Sequence, residues 1–264
     1  MLLALVAAVL ITAGVAARSA TAASPQAVAS WVAPRLNAYW SFVFAQEGLT
    51  YRNPPYYYWY NRPGYGWLHT PVRCDIYRKR DGLIWAGFSR EYAPNSFYCS
   101  VNDDFYFDWQ LWRTLRRGAA IVVAAHEWGH HVQHLLGWPE RERAARHLYA
   151  NYELMADCYA GVFVRHERDL GELSAADAGD ALRLLESFGD VERIPWSQAR
   201  SHGSRVARRR WFLRGYRTGD PEVCAKLFRP LRLFLGGAER LRLEGQEERD
   251  VGALNGLVLE AVKE

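Results

Sequence analysis

Two histidines four residues apart, His126 and His130, with Glu127 directly after the first, form the pattern H-E-x-x-H inside AAIVVAAHEWGHHVQHLL at residues 119–136. On a helix, residues four apart share a face and lie about 6 Å apart along the axis, so two imidazoles placed this way can grip one metal ion. Glu127 then stands within reach of a water at that metal. Two neutral histidines with a neighbouring carboxylate are the first half of a hydrolytic zinc site, with Glu127 as the general base. A pattern with three fixed positions also arises by chance, and two helical histidines can simply be polar residues on a half-buried face. The apolar run at residues 119–125 favours the metal reading, because a buried metal-binding residue needs such a shell. Gly137 and Pro139 are stop signals just after the motif.

A catalytic zinc keeps three protein ligands and one open position, so a third ligand is required. His134 continues the series from His130, but it lies about 12 Å along the axis from His126, too far for one ion to reach both. The extended pattern H-E-x-x-H-x-x-G-x-x-H fails as well, because Gln133 and Leu136 occupy its Gly and last His positions. His131 and His134 are therefore read as surface or structural residues. The better source is downstream, in NYELMADC at residues 151–158. Glu153 and Asp157 share a helix face, so one carboxylate can bind the ion while the other accepts the free ring N–H of a ligand histidine. Charged pairs on helices are usually solvated, but this pair sits among Leu154, Met155, Ala156, Tyr159 and Ala160, where unpaired carboxylates would be costly to bury.

HEWGHHVQHLLG followed by ELMADCYAG resembles the paired motifs of the bacterial neutral zinc metallopeptidases, a gluzincin-like group. Two further segments are similar to the same family: Phe97-Tyr98-Cys99 leading into Phe105-Tyr106-Phe107-Asp108, and Ser201-His202-Gly203-Ser204 leading into Arg210-Trp211-Phe212-Leu213-Arg214-Gly215-Tyr216. The resemblance implies zinc held by His126, His130 and Glu153, with Glu127 as base and Asp157 behind the ligands. It also implies a strand edge at residues 105–108 that binds substrate backbone by β-addition. The chain departs from the family pattern at Met155, in place of Gln, and at Trp128, in place of a smaller aliphatic residue; neither change removes a ligand.

Around this centre, the chain of 264 residues is long enough to bury a sizeable core. Residues 2–17 are an apolar run rich in Leu, Val and Ala, followed by Arg18 and a small-residue stretch. This reads as a signal peptide with an A-x-A cleavage site near Ala22, or as an anchor if left uncut, and it predicts an exported, secreted or envelope-associated protein. The four cysteines form no C-x-x-C pair. In an oxidising compartment they predict two disulfides, and the preferred pairing is Cys74 with Cys99 and Cys158 with Cys224. A formal net charge of +4 is too mild to argue for nucleic acid.

Residues 25–50 read as a helix with Trp31, Leu36, Tyr39, Trp40, Val43 and Phe44 as its apolar positions. Residues 51–67, dense in Tyr, Trp, Pro and Gly, read as a turn-rich loop whose aromatics either pack or bind peptides or glycans. Short strands are expected at 72–77 and 83–88 as a hairpin, and at 101–107, with a short helix at 109–117 ending at Gly118. Residues 139–165 and 174–187 read as helices, the second capped by Ser174 with Asp177 in its first turn. Ser204 caps a further helix rich in arginine, among them Arg205, Arg208, Arg209, Arg210 and Arg214. These are read as a solvated face, with an anionic lipid or cell-wall polymer as the alternative partner. The tail after residue 225 reads as amphipathic packing helices.

The sequence thus predicts a helix-rich α+β, zincin-like fold with a small sheet beside the H-E-x-x-H helix. Its parts are a leader at 1–22, an aromatic-rich N-terminal region at 23–100, a zinc metallopeptidase core at 101–225 and a helical tail at 226–264. The expected activity is zinc-dependent hydrolysis of peptide bonds in a peptide or protein substrate, with His202 donating to the developing oxyanion. The rivals are a non-catalytic envelope-binding protein that keeps zinc for stability and a zinc amidase acting on a cell-wall amide. The first is disfavoured by Glu127, a carboxylate that a structural zinc site does not need.

Overall fold

The computed structural model describes residues 24–60, 96–100, 102–137, 149–190 and 201–225. The expected leader, the hairpin at 72–77 and 83–88, Cys74 and the tail after residue 225 lie outside the described residues.

Helix α1 spans Pro25–Gln46, with the Ser24 side chain accepting from the Ala27 amide and proline in the first turn, where its missing N–H costs nothing. Its buried stripe of Val28, Val32, Leu36, Tyr39, Trp40 and Phe44 repeats at helical spacing and faces the core. Strands β1 (Tyr57–Tyr60), β2 (Phe97–Cys99) and β3 (Asp104–Asp108) form a sheet of order β1-β3-β2. β3 is parallel to β1 and antiparallel to β2.

The sheet corrects three expectations. The aromatic stretch taken as a loop contributes β1, and Tyr57 stacks on Trp128 at 5.3 Å. The strand expected from Val101 begins only at Asp104, because Asp103 adopts a left-handed φ of 63°. β3 is the central strand and not an edge at Phe105 and Tyr106: Phe105 to Asp108 pair with β1 on one side, and β2 pairs with Asp104 to Tyr106 on the other. β2 also reaches the H-E-x-x-H helix, with Tyr98 donating its amide to Glu127.

Asp108 caps the short helix α2, Trp109–Trp112, by accepting from the Leu111 amide at 2.7 Å. The chain then restarts as α3, Arg117–Leu135. Gly118 is therefore not a stop but part of the first turn of α3, where a Cβ would lie 2.0 Å from the Asp177 carbonyl oxygen. The later helices are α4 (Tyr149–Asp169), α5 (Ala175–Ser187), α6 (Arg205–Thr218) and α7 (Glu222–Ala225). Ser174 and Asp177 form a reciprocal capping box at α5, and Ser204 caps α6.

α3 runs through the middle, packed by α1, β2, α4 and α5. On the sheet side Trp128 stacks on Phe105 with ring centres 4.0 Å apart, so the large residue at this position anchors the helix to the central strand. α4 and α6 cross in close contact: a Cβ at Gly161 would meet the Phe212 oxygen at 2.1 Å, and one at Gly215 the Cys158 oxygen at 2.0 Å. The expected Cys158–Cys224 disulfide is present and ties α4 to α7. Among the described residues no helix is long and apolar enough to cross a membrane.

Candidate metal centre

The site forms where α3 meets α4. Gly129 lies between the two motif histidines, and a Cβ there would sit 2.8 Å from the Ala156 Cα, so the bare glycine is what lets the helices come this close. One helix then presents His126 and His130 and the other presents Glu153. The metal-binding atoms of these three residues lie within 4.8 Å of one another, the group of this kind found among the described residues. His126 Nε2 is 3.2 Å from His130 Nε2 and 3.2 Å from Glu153 Oε2, and His130 Nε2 is 3.5 Å from Glu153 Oε1.

The outer nitrogens decide what the inner ones offer. His126 Nδ1 lies 2.8 Å from Asp157 Oδ1, and His130 Nδ1 lies 2.8 Å from Gln133 Oε1. Both partners are acceptors, so both Nδ1 atoms carry the proton and both Nε2 lone pairs point inward, a tautomer assigned from the network. Two lone pairs and a carboxylate converging on one point repel one another unless a cation or protons lie between them. That donor set, two imidazoles and one carboxylate, suits zinc with a position left open.

Burial opposes charge on His126, but Asp157 and Glu153 outweigh it and push its pKa up to about 10. His130 is raised in the same way, against burial, by Glu153. Glu153 is held well below the usual carboxylate range by the two histidines despite burial that works the other way.

Asp157 is fully buried and takes more than the His126 proton. Arg208, on α6, donates Nε to Asp157 Oδ2 at 2.8 Å and Nη2 to Oδ1 at 2.7 Å. This fork outweighs burial and lowers the Asp157 pKa. The expectation that the α6 arginines form a solvated face therefore fails at Arg208, which is 4% exposed. Arg209 also has a partner, Glu186. On the other side, Gln133 Nε2 donates to the Tyr152 carbonyl at 2.8 Å, and the Tyr152 ring stacks on His130 at 4.8 Å.

Glu127 shares the pocket, at 7% exposure, without belonging to the ligand group. Its Oε2 accepts the Tyr98 amide of β2 at 2.8 Å. Burial raises its pKa, and the two histidines offset part of that rise.

His131 and His202 are not in this group. His131 is fully buried and structural: Nδ1 meets Asp103 Oδ1 at 2.6 Å and Nε2 meets the Arg52 carbonyl at 2.9 Å. His202 lies just before α6 with Nδ1 3.6 Å from Asp190 Oδ1, beyond hydrogen-bond length. Its loop is fixed by Asp190, whose Oδ2 accepts from Ser201 Oγ at 2.8 Å and from the Gly203 amide at 3.0 Å. Gly203, at φ 84°, packs on Leu154, the residue after Glu153. The sequence reading missed Arg208, Gln133 and the Tyr98 amide; a buried arginine has no local signal, and a backbone amide has none at all.

The family model described as putative neutral zinc metallopeptidase matches residues 86–227, more than half of the chain. Among relatives, the uncharacterized protein Rv2575 of Mycobacterium tuberculosis is 37% identical over 190 residues, covering 61% of this chain and 63% of the relative. The uncharacterized protein YpfJ of Escherichia coli K12 is 31% identical over 202 residues, covering 70% of this chain and 65% of the relative. The chain thus spans less than two thirds of the length of either relative. No solved structure matches. With its family motifs folded into one His-His-Glu centre, the chain belongs to the putative neutral zinc metallopeptidase family.

Proposed function

We propose that this chain is an exported zinc-dependent peptidase that hydrolyses peptide bonds, with His126, His130 and Glu153 as ligands and Glu127 as general base. Asp157 fixes His126, and His202 donates to the developing oxyanion. Zinc held by this donor set would supply Lewis acidity, acidifying a water and polarising a carbonyl. Glu127 accepts the proton and later delivers it to the departing amine, a role suited to a buried carboxyl with a raised pKa. The Tyr98 amide occupies one of its oxygens and leaves the other free to work. His202 is assigned this role because it directly precedes Gly203, which packs on Leu154 of the Glu153 helix, and a second donor to the growing negative charge is commonly worth about 2.7–4 kcal/mol.

The observation that carries this reading is the pairing of a three-donor cluster with a fourth residue, the buried acid Glu127, which directly follows the first donor and is not one of them. A zinc kept only for stability needs no such acid. Export is supported by the Cys158–Cys224 disulfide together with the leader-like residues 2–17.

The test is to incubate purified protein with a mixed peptide library, with and without a chelator, and to identify products by mass spectrometry. Chelator-sensitive cleavage at internal peptide bonds is expected. Zinc-loaded protein that leaves every peptide intact would contradict the peptidase reading.

A further inference from the structure

Arg208 ends a buried chain of contacts that begins at the metal donors. His126 Nε2 faces the donor cluster, His126 Nδ1 meets Asp157 Oδ1, and both Asp157 oxygens are held by the Arg208 fork. Arg208 Nη1 lies 3.3 Å from the carbonyl of Phe188, the C-cap residue of α5. Three helices therefore meet on one guanidinium: α4 through Asp157, α5 through Phe188 and α6 through Arg208 itself. Cys158, next to Asp157, is further pinned by its disulfide.

We infer that Arg208 is a positioning residue for the metal site: it fixes the plane of the Asp157 carboxylate, and through it the ring of His126, so that Nε2 is aimed before any metal arrives. The inference rests on the zinc reading above. The geometry gives the reason for arginine. Asp157 Oδ1 is shared between Arg208 Nη2 at 2.7 Å and His126 Nδ1 at 2.8 Å, so the carboxylate cannot turn toward one partner without leaving the other. A planar fork fixes that orientation, whereas a lysine ammonium is a single point of charge. Two effects compete when Arg208 is replaced. Losing a positive charge favours a divalent cation, while freeing Asp157 loosens His126 and weakens zinc by the amount typical of a lost outer partner, about 10- to 100-fold. The buried three-way anchoring makes orientation the larger effect.

The test is zinc affinity of metal-stripped protein, measured by competition with a chromophoric chelator, with helix content by circular dichroism as the fold control. Arg208→Met is expected to bind zinc about 10-fold more weakly than the parent. Arg208→Lys, which keeps the charge and loses the fork, is expected to be weakened too. Asp157→Asn combined with Arg208→Met should bind zinc no more weakly than Asp157→Asn alone, because Arg208 acts through Asp157. A plain structural ion pair between α4 and α6 would instead lower the melting temperature and leave zinc affinity unmoved. Unchanged or tighter zinc binding by folded Arg208→Met, or the full Arg208 loss reappearing in the Asp157→Asn background, would overturn the inference. Should Arg208→Met not fold, unchanged affinity in Arg208→Lys overturns it alone. A parent protein that takes up no zinc would refute the reading beneath it, which is a different result.

Discussion

The two histidines of the motif share one helix, yet they are held by opposite means. His126 leans on an ionised carboxylate from another helix, itself gripped by a buried arginine from a third. His130 leans on a neutral amide three residues along its own helix, Gln133, whose other end caps the Tyr152 carbonyl. A carboxylate both orients an imidazole and raises its basicity, while an amide mainly orients it. One arm of the site is therefore built by tertiary structure and the other largely by α3. The His126 arm should bear more of the metal affinity and be the first lost when the packing of α4 on α6 is disturbed.

The largest effect sits between the arms. Glu153 faces both inner nitrogens, so Glu153→Ala should lose most of the zinc, as read by metal analysis. Full occupancy in that variant would move the third ligand elsewhere. Outside both arms, His202→Ala should keep its zinc and melting temperature while kcat falls about 100-fold or more. An unchanged kcat would return His202 to a loop-packing role with Asp190. The comparison itself is measured by Asp157→Asn, expected to weaken zinc about 10- to 100-fold, against Gln133→Leu, expected to cost less than that. Equal losses would erase the distinction between the arms.

Acidity probes the same contrast more gently. Zinc competes with protons for His126 and His130, both raised above the ordinary histidine value by the neighbouring carboxylates, so zinc affinity should rise with pH. The sign reverses for the metal-free fold: a histidine raised above its ordinary value of about 6.5 stabilises below that value, and the contribution is lost as pH rises toward 10. Melting curves with and without chelator should therefore diverge as pH rises. Asp157→Asn should flatten that divergence, since Asp157 is the main partner raising His126.

Much of the centre is legible in the sequence because zinc chemistry dictates it locally. Spacings of four on a helix put His126 with His130 and Glu153 with Asp157, and apolar neighbours mark both helices as buried. What the sequence hides depends on distant partners. Arg208 is one arginine among several on α6, and only the fold shows that it turns inward to Asp157. Gln133 reads only as a mismatch at the glycine position of the extended motif until its contact with His130 is seen. The strand edge is misassigned for the same reason: β3 looks like an edge until β1, from an aromatic stretch far upstream, pairs with it. Gly129 shows its purpose only when Ala156 lies against it.

The central claim is that a zinc site and a separate acid work together, and Glu127→Gln separates them. The substitution keeps the acceptor for the Tyr98 amide and removes the proton-accepting charge. Zinc content and hydrolysis of the peptide library should be measured on the same preparation. Full zinc with nearly all turnover lost is the predicted result; a Glu127→Gln protein that still cleaves peptides at the parent rate would contradict it.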